Sequence, residues 1–479
     1  MKKYIKYKNI NKIMNNKFLT LFIFIFVLSS SFSTGMIIPI KTTIENLETD
    51  NHQPICIIGN NEFTEENGVT GGSGTEEDPY IIENWWIVSD GVASQGIFIN
   101  NTDVHFIIRN CAISGFHHPD EYRQGIELSE VVHGKIESTI ISECQTGISV
   151  RYSKENIIKN CTCFNYSALY GYGIGILLSN NITIISCRCY DMYTGIDISK
   201  SSDITIKKTE CFNNTNNGLD SFAVEPTSMR FFIENCTFQK NNDYGIHLID
   251  RAQHPSYFTI RNCSFNSNEI GMSLERLCDN LIENCVFYNN SIGLSLDDRA
   301  KDNIIRNCSF LSHTHYGILI QGAFILLHFA PNNEVYFCDF IENKCGLFLF
   351  GTRGTKMHHC RFINNSFFGV CSAFSSPRIT LNNFFNNGRE CPENGSCGAF
   401  IWGAFTDLRN NYWGNSEGPS ISFIVRSTNN TAKLVLIRTI DDSDAIIFQG
   451  VFGRCVSRFR PWLSEPVPDA GRQTSISYE

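Results

Sequence analysis

Ile260-Arg261-Asn262-Cys263-Ser264-Phe265, followed after a short polar turn by Gly271-Met272-Ser273-Leu274, is the stretch that decides the fold. Both runs are apolar at every second residue, the signature of short strands with one buried face. Neither shows a sustained 3.6-residue period, so a helical-repeat solenoid does not fit.

Working outward, both runs recur along the chain. The glycine run returns at Gly96, Gly125, Gly147, Gly175, Gly195, Gly218, Gly245, Gly271, Gly293, Gly317, Gly346 and Gly369, at intervals of 20 to 29 residues. Between these lies the second run, anchored at Cys111, Cys144, Cys161, Cys187, Cys211, Cys236, Cys263, Cys285, Cys308, Cys338 and Cys360, with Asn383 in the last repeat. From Cys236 onward a Phe stands two places later, from Phe238 to Phe385. Turns such as Asn241-Asn242, Asn289-Asn290, Asn364-Asn365 and Asn386-Asn387 follow, and Asn tolerates the left-handed backbone that a tight corner needs. A fixed period with two strands per repeat predicts an all-β, single-stranded right-handed parallel β-helix of about 12 coils. Stacking coils about 4.8 Å apart puts like over like, which makes internal ladders of Ile, Phe and Cys.

The ladder also explains the 20 cysteines. Neighbouring Cβ atoms at about the coil spacing are farther apart than the roughly 3.5–4.5 Å of a disulfide, so these cysteines read as buried thiols packed as small hydrophobes. Cys391 and Cys397, in Cys-Pro-Glu-Asn-Gly-Ser-Cys, are the disulfide candidates.

The chain has 479 residues and a net charge of -9, without the basic stripe of a nucleic-acid partner. Lys2, Lys3, Lys6, Lys8, Lys12 and Lys17 precede the apolar run Phe18 to Leu28 and the small residues Ser29 to Gly35. Residues 1–35 therefore read as a signal peptide or N-terminal membrane anchor, and the mature chain as secreted or exposed on the cell surface. Membrane contact is expected through that segment alone. The rest divides into a linker (36–54), the β-helix (55–420), strands capping its end (421–466) and a disordered tail (467–479).

Gly72-Ser73-Gly74-Thr75-Glu76-Glu77-Asp78-Pro79-Tyr80-Ile81-Ile82 resembles the motif that opens the first coil of pectin-lyase-like β-helix proteins. Ile-x-Asn-Cys-x-Phe is similar to the Ile-x-Asn-Asn-x-Ile strand of the NosD-like periplasmic copper-binding family, with Cys for the second Asn. Asn411-Tyr412-Trp413-Gly414 and Arg460-Pro461-Trp462-Leu463 resemble the closing segments of surface β-helix proteins. The resemblance covers residues 55 to 465 and implies the fold. The families that share it include polysaccharide lyases and hydrolases, epimerases, phage tailspikes, adhesins and surface proteins, so function has to come from a site.

Alternation points the residue two places after each glycine outward. That row reads Phe98, Glu127, Ser149, Leu177, Asp197, Asp220, His247, Ser273, Ser295, Leu319 and Phe348. Asp197, Asp220 and His247 fall on successive coils, with Asp250, Glu275, Asp297, Asp298 and Arg299 at the strand ends. Together with Glu127 these are the candidate ligand-binding residues, and Asp197, Asp220 and His247 the candidate catalytic ones. Stacked carboxylates repel, which raises a pKa or recruits a cation. Such a row suits Ca²⁺ at Asp197 and Asp220, or an acid and base for glycan cleavage, or it is a solvated polar face.

Copper, which the NosD-like resemblance implies, finds paired histidines at His117-His118, His313 with His315 and His358-His359, but only 7 Met and enclosed thiols. It ranks last, and no cofactor is required. Sequons at Asn100, Asn165, Asn181, Asn213, Asn289, Asn364, Asn394 and Asn429 are candidate glycosylation sites. Those at Asn160, Asn235, Asn262 and Asn307 belong to the Asn-Cys motif and are expected to be enclosed. The leading expectation is a surface protein that binds a polysaccharide or envelope glycan without catalysis. The alternative is a polysaccharide lyase or glycoside hydrolase acting on acidic glycans.

Overall fold

The structure, a computed structural model, describes residues 50–118, 122–165, 170–223, 229–251, 256–322, 330–390, 397–402, 405–426, 432–438, 444–449 and 458–473. Residues 1–35, read from sequence as a signal peptide or anchor, lie outside the described residues, as do Cys391, Asn394 and Asn429.

The chain winds as a parallel β-solenoid of about 12 coils, with no α-helix among the described residues. Each coil contributes one strand to each of three sheets. The glycine sheet contains Thr194–Ser199 and Ile270–Glu275, the isoleucine sheet Ser202–Lys207 and Tyr257–Arg261, and the phenylalanine sheet Glu210–Phe212 and Ser264–Asn266. The last two have 14 strands each. Residues repeating at coil intervals are hydrogen-bonded neighbours, as in Ile260 over Ile282 and Phe265 over Phe287.

Three sharp features make the corners. Between the isoleucine and phenylalanine strands one residue takes a left-handed backbone, such as Asn262 (φ 54°) or Asn284 (φ 56°). Asparagine is favoured there because its short polar side chain relieves the cost of that conformation. After the phenylalanine strand a second left-handed residue, such as Ser267 or Asn289, turns the chain again. The next Asn points inward, and Asn241, Asn268 and Asn290 form a buried ladder. Asn268 Nδ2 donates to the Phe238 carbonyl at 3.0 Å and to Asn290 Oδ1 at 3.3 Å. These amides satisfy the backbone groups that a corner takes out of the sheets. At the third corner stands the glycine, where a Cβ would lie 2.4 to 2.8 Å from the carbonyl oxygen of the next glycine in the stack, from Gly96 to Gly369.

Between the corner ladders the bore is filled by apolar side chains. Phe238, Phe265, Phe287, Phe310, Phe340, Phe362 and Phe384 form one continuous stack, with ring centroids 4.6 to 5.4 Å apart. Trp413 closes it, 4.4 Å from Phe384. At the other end Val69–Gly71 pairs antiparallel with Tyr80–Glu83. Gly72 (φ 89°) is required there, because a Cβ would sit 1.9 Å from the Pro79 carbonyl oxygen.

The ladder cysteines are buried thiols whose Sγ–H groups find carbonyls. Cys263 Sγ lies 3.2 Å from the Arg261 oxygen and 3.8 Å from that of Ile233 in the preceding coil. Burial pushes the Cys111 thiol up to about 11. A thiol raised in this way is protonated and unreactive at neutral pH. Under native conditions a maleimide is expected to label the exposed Cys56 and spare the ladder until denaturant opens the coils. Rapid labelling of ladder thiols in the native state, read by mass spectrometry, would contradict the interior placement.

Several expectations need correcting. Cys144 and Cys211 are not in the Asn-Cys ladder; Thr139 and Thr209 hold those places, each hydroxyl donating at 3.0 Å to the carbonyl two residues back. In the last coil the place belongs to Asn382 rather than Asn383, and Phe384, not Phe385, continues the Phe stack over Phe362. The glycine strand of the fourth coil starts at Gly173 rather than Gly175, since Ile174 and Ile176 pair with Ile196 and Ile198. Within the stretch read as linker, Asp50–Asn51 pairs with Trp85-Trp86.

Nor is the tail disordered from 467 onward. Val467 exchanges two hydrogen bonds with the Asn383 side chain, and Gly471 N donates to the His359 carbonyl at 2.7 Å. Arg472 reaches the Asn284 carbonyl at 3.3 Å. Over this stretch the chain runs back across several coils as a strap.

Candidate functional site

The glycine strands present three outward rows, because the residue before each glycine and those two and four places after it all face away from the bore. In the middle row the register is continuous: Glu127, Ser149, Gly175, Asp197, Asp220, His247, Ser273, Ser295, Leu319 and Phe348. Leu177, expected in this row, is displaced by the shifted glycine and stands beside Ser199 in the outer row. Gly175 takes its place and leaves a notch next to Asp197. A Cβ built there would find only the Tyr172 ring at 3.5 Å and the Thr146 methyl at 3.8 Å.

Asp197 and Asp220 are adjacent across the sheet, as the sequence indicates, and His247 follows. His247 Nδ1 lies 2.9 Å from Asp220 Oδ1, and its ring stacks on Tyr244 with centroids 4.3 Å apart. The Asp220 carboxylate therefore has a partner. The Asp197 carboxyl accepts from the Ser199 hydroxyl at 3.2 Å, its one hydrogen bond among the described residues. Burial, and then repulsion from Asp220, push the Asp197 carboxyl up to about 7. The row thus holds a carboxyl that keeps its proton near neutrality beside a carboxylate tied to an imidazole. Separating two acids in this way divides the roles of proton donor and charged partner.

The flanking rows add two tyrosines that sequence reasoning passed over, because only the middle row was followed. Tyr172 stands beside the notch, its hydroxyl pushed up first by burial and then by the Asp197 charge. Tyr244, under His247, is raised by burial and by Asp297. Their signal was available, since both immediately precede the glycine of their strand. In the outer row Glu275 and Asp297 are neighbours, and burial pushes Asp297 up to about 6. Asp297 Oδ2 accepts from the Ser295 hydroxyl at 2.7 Å, while its Oδ1 is buried without a partner. Arg251, which follows the His247 strand, places its guanidinium 4.9 Å from the centre of the Phe222 ring on the Asp220 strand.

The remaining candidates fall elsewhere. Glu127 is buried and bonded to Gln95 at 2.8 Å, with Arg151 3.7 Å away, and Ser149 and Gly175 separate it from Asp197. Asp250 is buried. Asp298 pairs with Arg276 at 2.6 Å in a turn that also holds Arg299 (φ 72°). Among the described residues no group of three or more His, Cys, Asp or Glu side chains is arranged to hold a metal ion. His313 takes an Asn position in the buried corner ladder, where burial pushes it down to about 3.

The sequons also sort differently from their expected order. Asn165 is buried and donates to the Cys144 carbonyl at 2.8 Å, whereas Asn181, Asn213 and Asn289 are exposed. Asn160, Asn235 and Asn262, expected to be enclosed, are exposed at left-handed corners, while Asn307 is buried. Among the described residues no helix is long and apolar enough to cross a membrane.

A family model described as "Right handed beta helix region" matches residues 95–256, 224–330 and 256–416. No curated protein sequence matches the chain. Solved structures of similar form include an alginate lyase of the PL6 group in complex with a trisaccharide, 9% identical, covering 84% of this chain and 96% of that one, TM-score 0.42. The periplasmic alginate epimerase AlgG is 11% identical over 78% of this chain and 84% of its own, TM-score 0.40. The A-module of the Azotobacter vinelandii mannuronan C-5 epimerase AlgE6 is 14% identical over 68% and 88%, TM-score 0.37. These are likenesses of fold. The match is to the broad family, not to the narrower copper-binding group that the Ile-x-Asn-Cys-x-Phe strand resembles.

Proposed function

The chain belongs to the right-handed β-helix family, and on that scaffold we propose an exported enzyme that cleaves a polysaccharide chain lying along the glycine sheet. This reverses the order of the two expectations drawn from sequence, in which binding without catalysis came first. The observation that carries it is the Asp197 carboxyl, pushed up to about 7 beside Asp220. A glycan-binding face needs hydrogen-bonding groups and has no use for an acid that is costly to ionise. A cleaving site does need one, because hydrolysis and elimination both require a proton for the departing glycosidic oxygen.

In this reading Asp197 donates that proton. Asp220, in register beside it, is the charged partner, and its hydrogen bond to His247 fixes it. The two side chains stack at the coil spacing of about 4.8 Å, near the roughly 5–5.5 Å separation of carboxyls in hydrolases that retain configuration. Tyr172 and the Gly175 notch form the wall that the sugar beside Asp197 would meet. Arg251, beside Phe222 of the Asp220 strand, would be a cation for an acidic substituent. Ca²⁺ at Asp197 and Asp220, the other reading that the row suits, is not needed for the proton transfer.

The test is a product assay. Purified protein is incubated with neutral and acidic polysaccharides, polyuronates among them, and followed for reducing ends and for ultraviolet absorbance of unsaturated uronates. Product in either channel is expected. Absorbance identifies elimination, and reducing ends without absorbance identify hydrolysis. No product from any substrate, with binding to one retained, would return the chain to the non-catalytic reading.

A further inference from the structure

Past Ser295 the same face changes character. Over the four coils from Tyr316 to Trp402 the outward rows, traced by register, hold no charged side chain among the described residues. They hold Tyr316, Phe348, Phe350, Phe368, Phe400 and Trp402, all half-buried with part of each ring open to solvent. Tyr316 meets Phe348 at 5.1 Å between centroids, and Phe368 meets Phe400 at 5.1 Å. These rings are not the apolar core, which lies on the other side of the sheet. Partly exposed rings gathered on one strip mark a binding surface.

We infer that this strip binds uncharged sugar rings of the same chain whose bond is cut at the Asp197 row, so that the substrate carries neutral residues on that side of the cleavage point. The inference rests on the proposed catalytic reading for its direction, and three observations carry it. The strip continues the middle row without a break: Ser295 pairs with Leu319, Leu319 with Phe348, Phe348 with Cys371 and Cys371 with Phe400. A chain lying along the Asp197 row therefore passes over it. The coil spacing is close to the length of one pyranose in an extended chain, so successive rings meet successive platforms. The rows themselves hold no cation to offset the desolvation of a carboxylate, Lys344 standing outside them over the Phe367 ring, which disfavours a uniform polyuronate there.

The test separates this inference from the catalytic reading by measuring binding in the Asp197→Asn protein, which under that reading consumes its ligand at least about a hundredfold more slowly than the parent. Full-length protein is titrated with cellohexaose, mannohexaose, chitohexaose and hexagalacturonate by calorimetry. At least one uncharged hexasaccharide is expected to bind more tightly than hexagalacturonate. Phe348→Ala and Trp402→Ala are each expected to weaken it about tenfold, the size of a truncated hot-spot ring, while Phe348→Tyr retains binding. Hexagalacturonate binding best, or unchanged affinity in both alanine variants, overturns the inference. So does failure of all four to bind while phosphatidylcholine vesicles are taken up by the parent protein and not by the two variants. That last outcome makes the strip a lipid surface. If Asp197→Asn forms product at the wild-type rate, the catalytic reading fails and the binding result stands on its own.

Discussion

Asp197→Asn is expected to lower turnover by about two to four orders of magnitude, the usual contribution of a positioned proton donor, and to leave the solenoid folded. Asparagine keeps the shape of the side chain and can still accept from Ser199, so packing is not disturbed. The pH dependence makes the assignment specific. A donor must be protonated, and this carboxyl is held up to about 7 by burial and by Asp220. Wild-type kcat/KM should therefore fall about tenfold per pH unit on the alkaline side of 7, and that limb should vanish from the residual activity of the variant.

Stability gives an independent reading of the same group. The folded-state value is raised above the ordinary carboxyl range of about 3.9, so between the two values the native state binds more protons than the unfolded chain. Its stabilising contribution is complete below about 4 and is lost as pH rises through about 7. The variant has no such loss. Thermal midpoints of the two proteins should coincide near pH 4 and diverge by pH 8, with Asp197→Asn the more stable. Equal midpoints at both pH values would show that Asp197 is not held protonated, and would remove the observation on which the proposed function stands. An effect on turnover without any change in the pH profile would leave Asp197 a positioning residue.

The fold could be read from spacing because a parallel coil forces like residues over like. Ile260, Cys263, Phe265 and Gly271 recur in the next coil as Ile282, Cys285, Phe287 and Gly293, and each pair is in contact along the stack. The Asp197-Asp220-His247 row was legible for the same reason. What spacing could not supply was local register wherever a strand carries two candidate residues. Gly173 and Gly175 both begin apolar runs, and only packing against Gly195 decides between them. The same ambiguity produced Leu177 for Gly175, Cys144 for Thr139 and Asn383 for Asn382. Threonine fills a cysteine place because its hydroxyl makes the thiol's bond to the carbonyl two residues back. The strap at Val467 depends on pairings that no period encodes.

Gly245→Ala is the substitution expected to damage the fold most, and Gly175→Ala is its control. A Cβ at 245 would lie 2.4 Å from the Gly271 carbonyl oxygen, with the Phe265 ring and the Asn268 amide both at 3.1 Å. None of the three can yield independently. The carbonyl belongs to the backbone of the next coil, Phe265 is fixed between Phe238 and Phe287, and Asn268 is committed to its own ladder. Relief would require neighbouring coils to separate, breaking hydrogen bonds in all three sheets at once. A cost of about 3 kcal/mol, at the upper end for overpacking, is the least to expect. Position 175 faces outward with nothing nearer than 3.5 Å, and an alanine there restricts the unfolded chain, for a gain of about 0.4–1 kcal/mol. Denaturant or thermal unfolding monitored by circular dichroism compares the two directly. Equal losses would mean that the fourth coil starts at Gly175 after all, which would put Leu177 back beside Asp197, close the notch and leave the catalytic row without an open side.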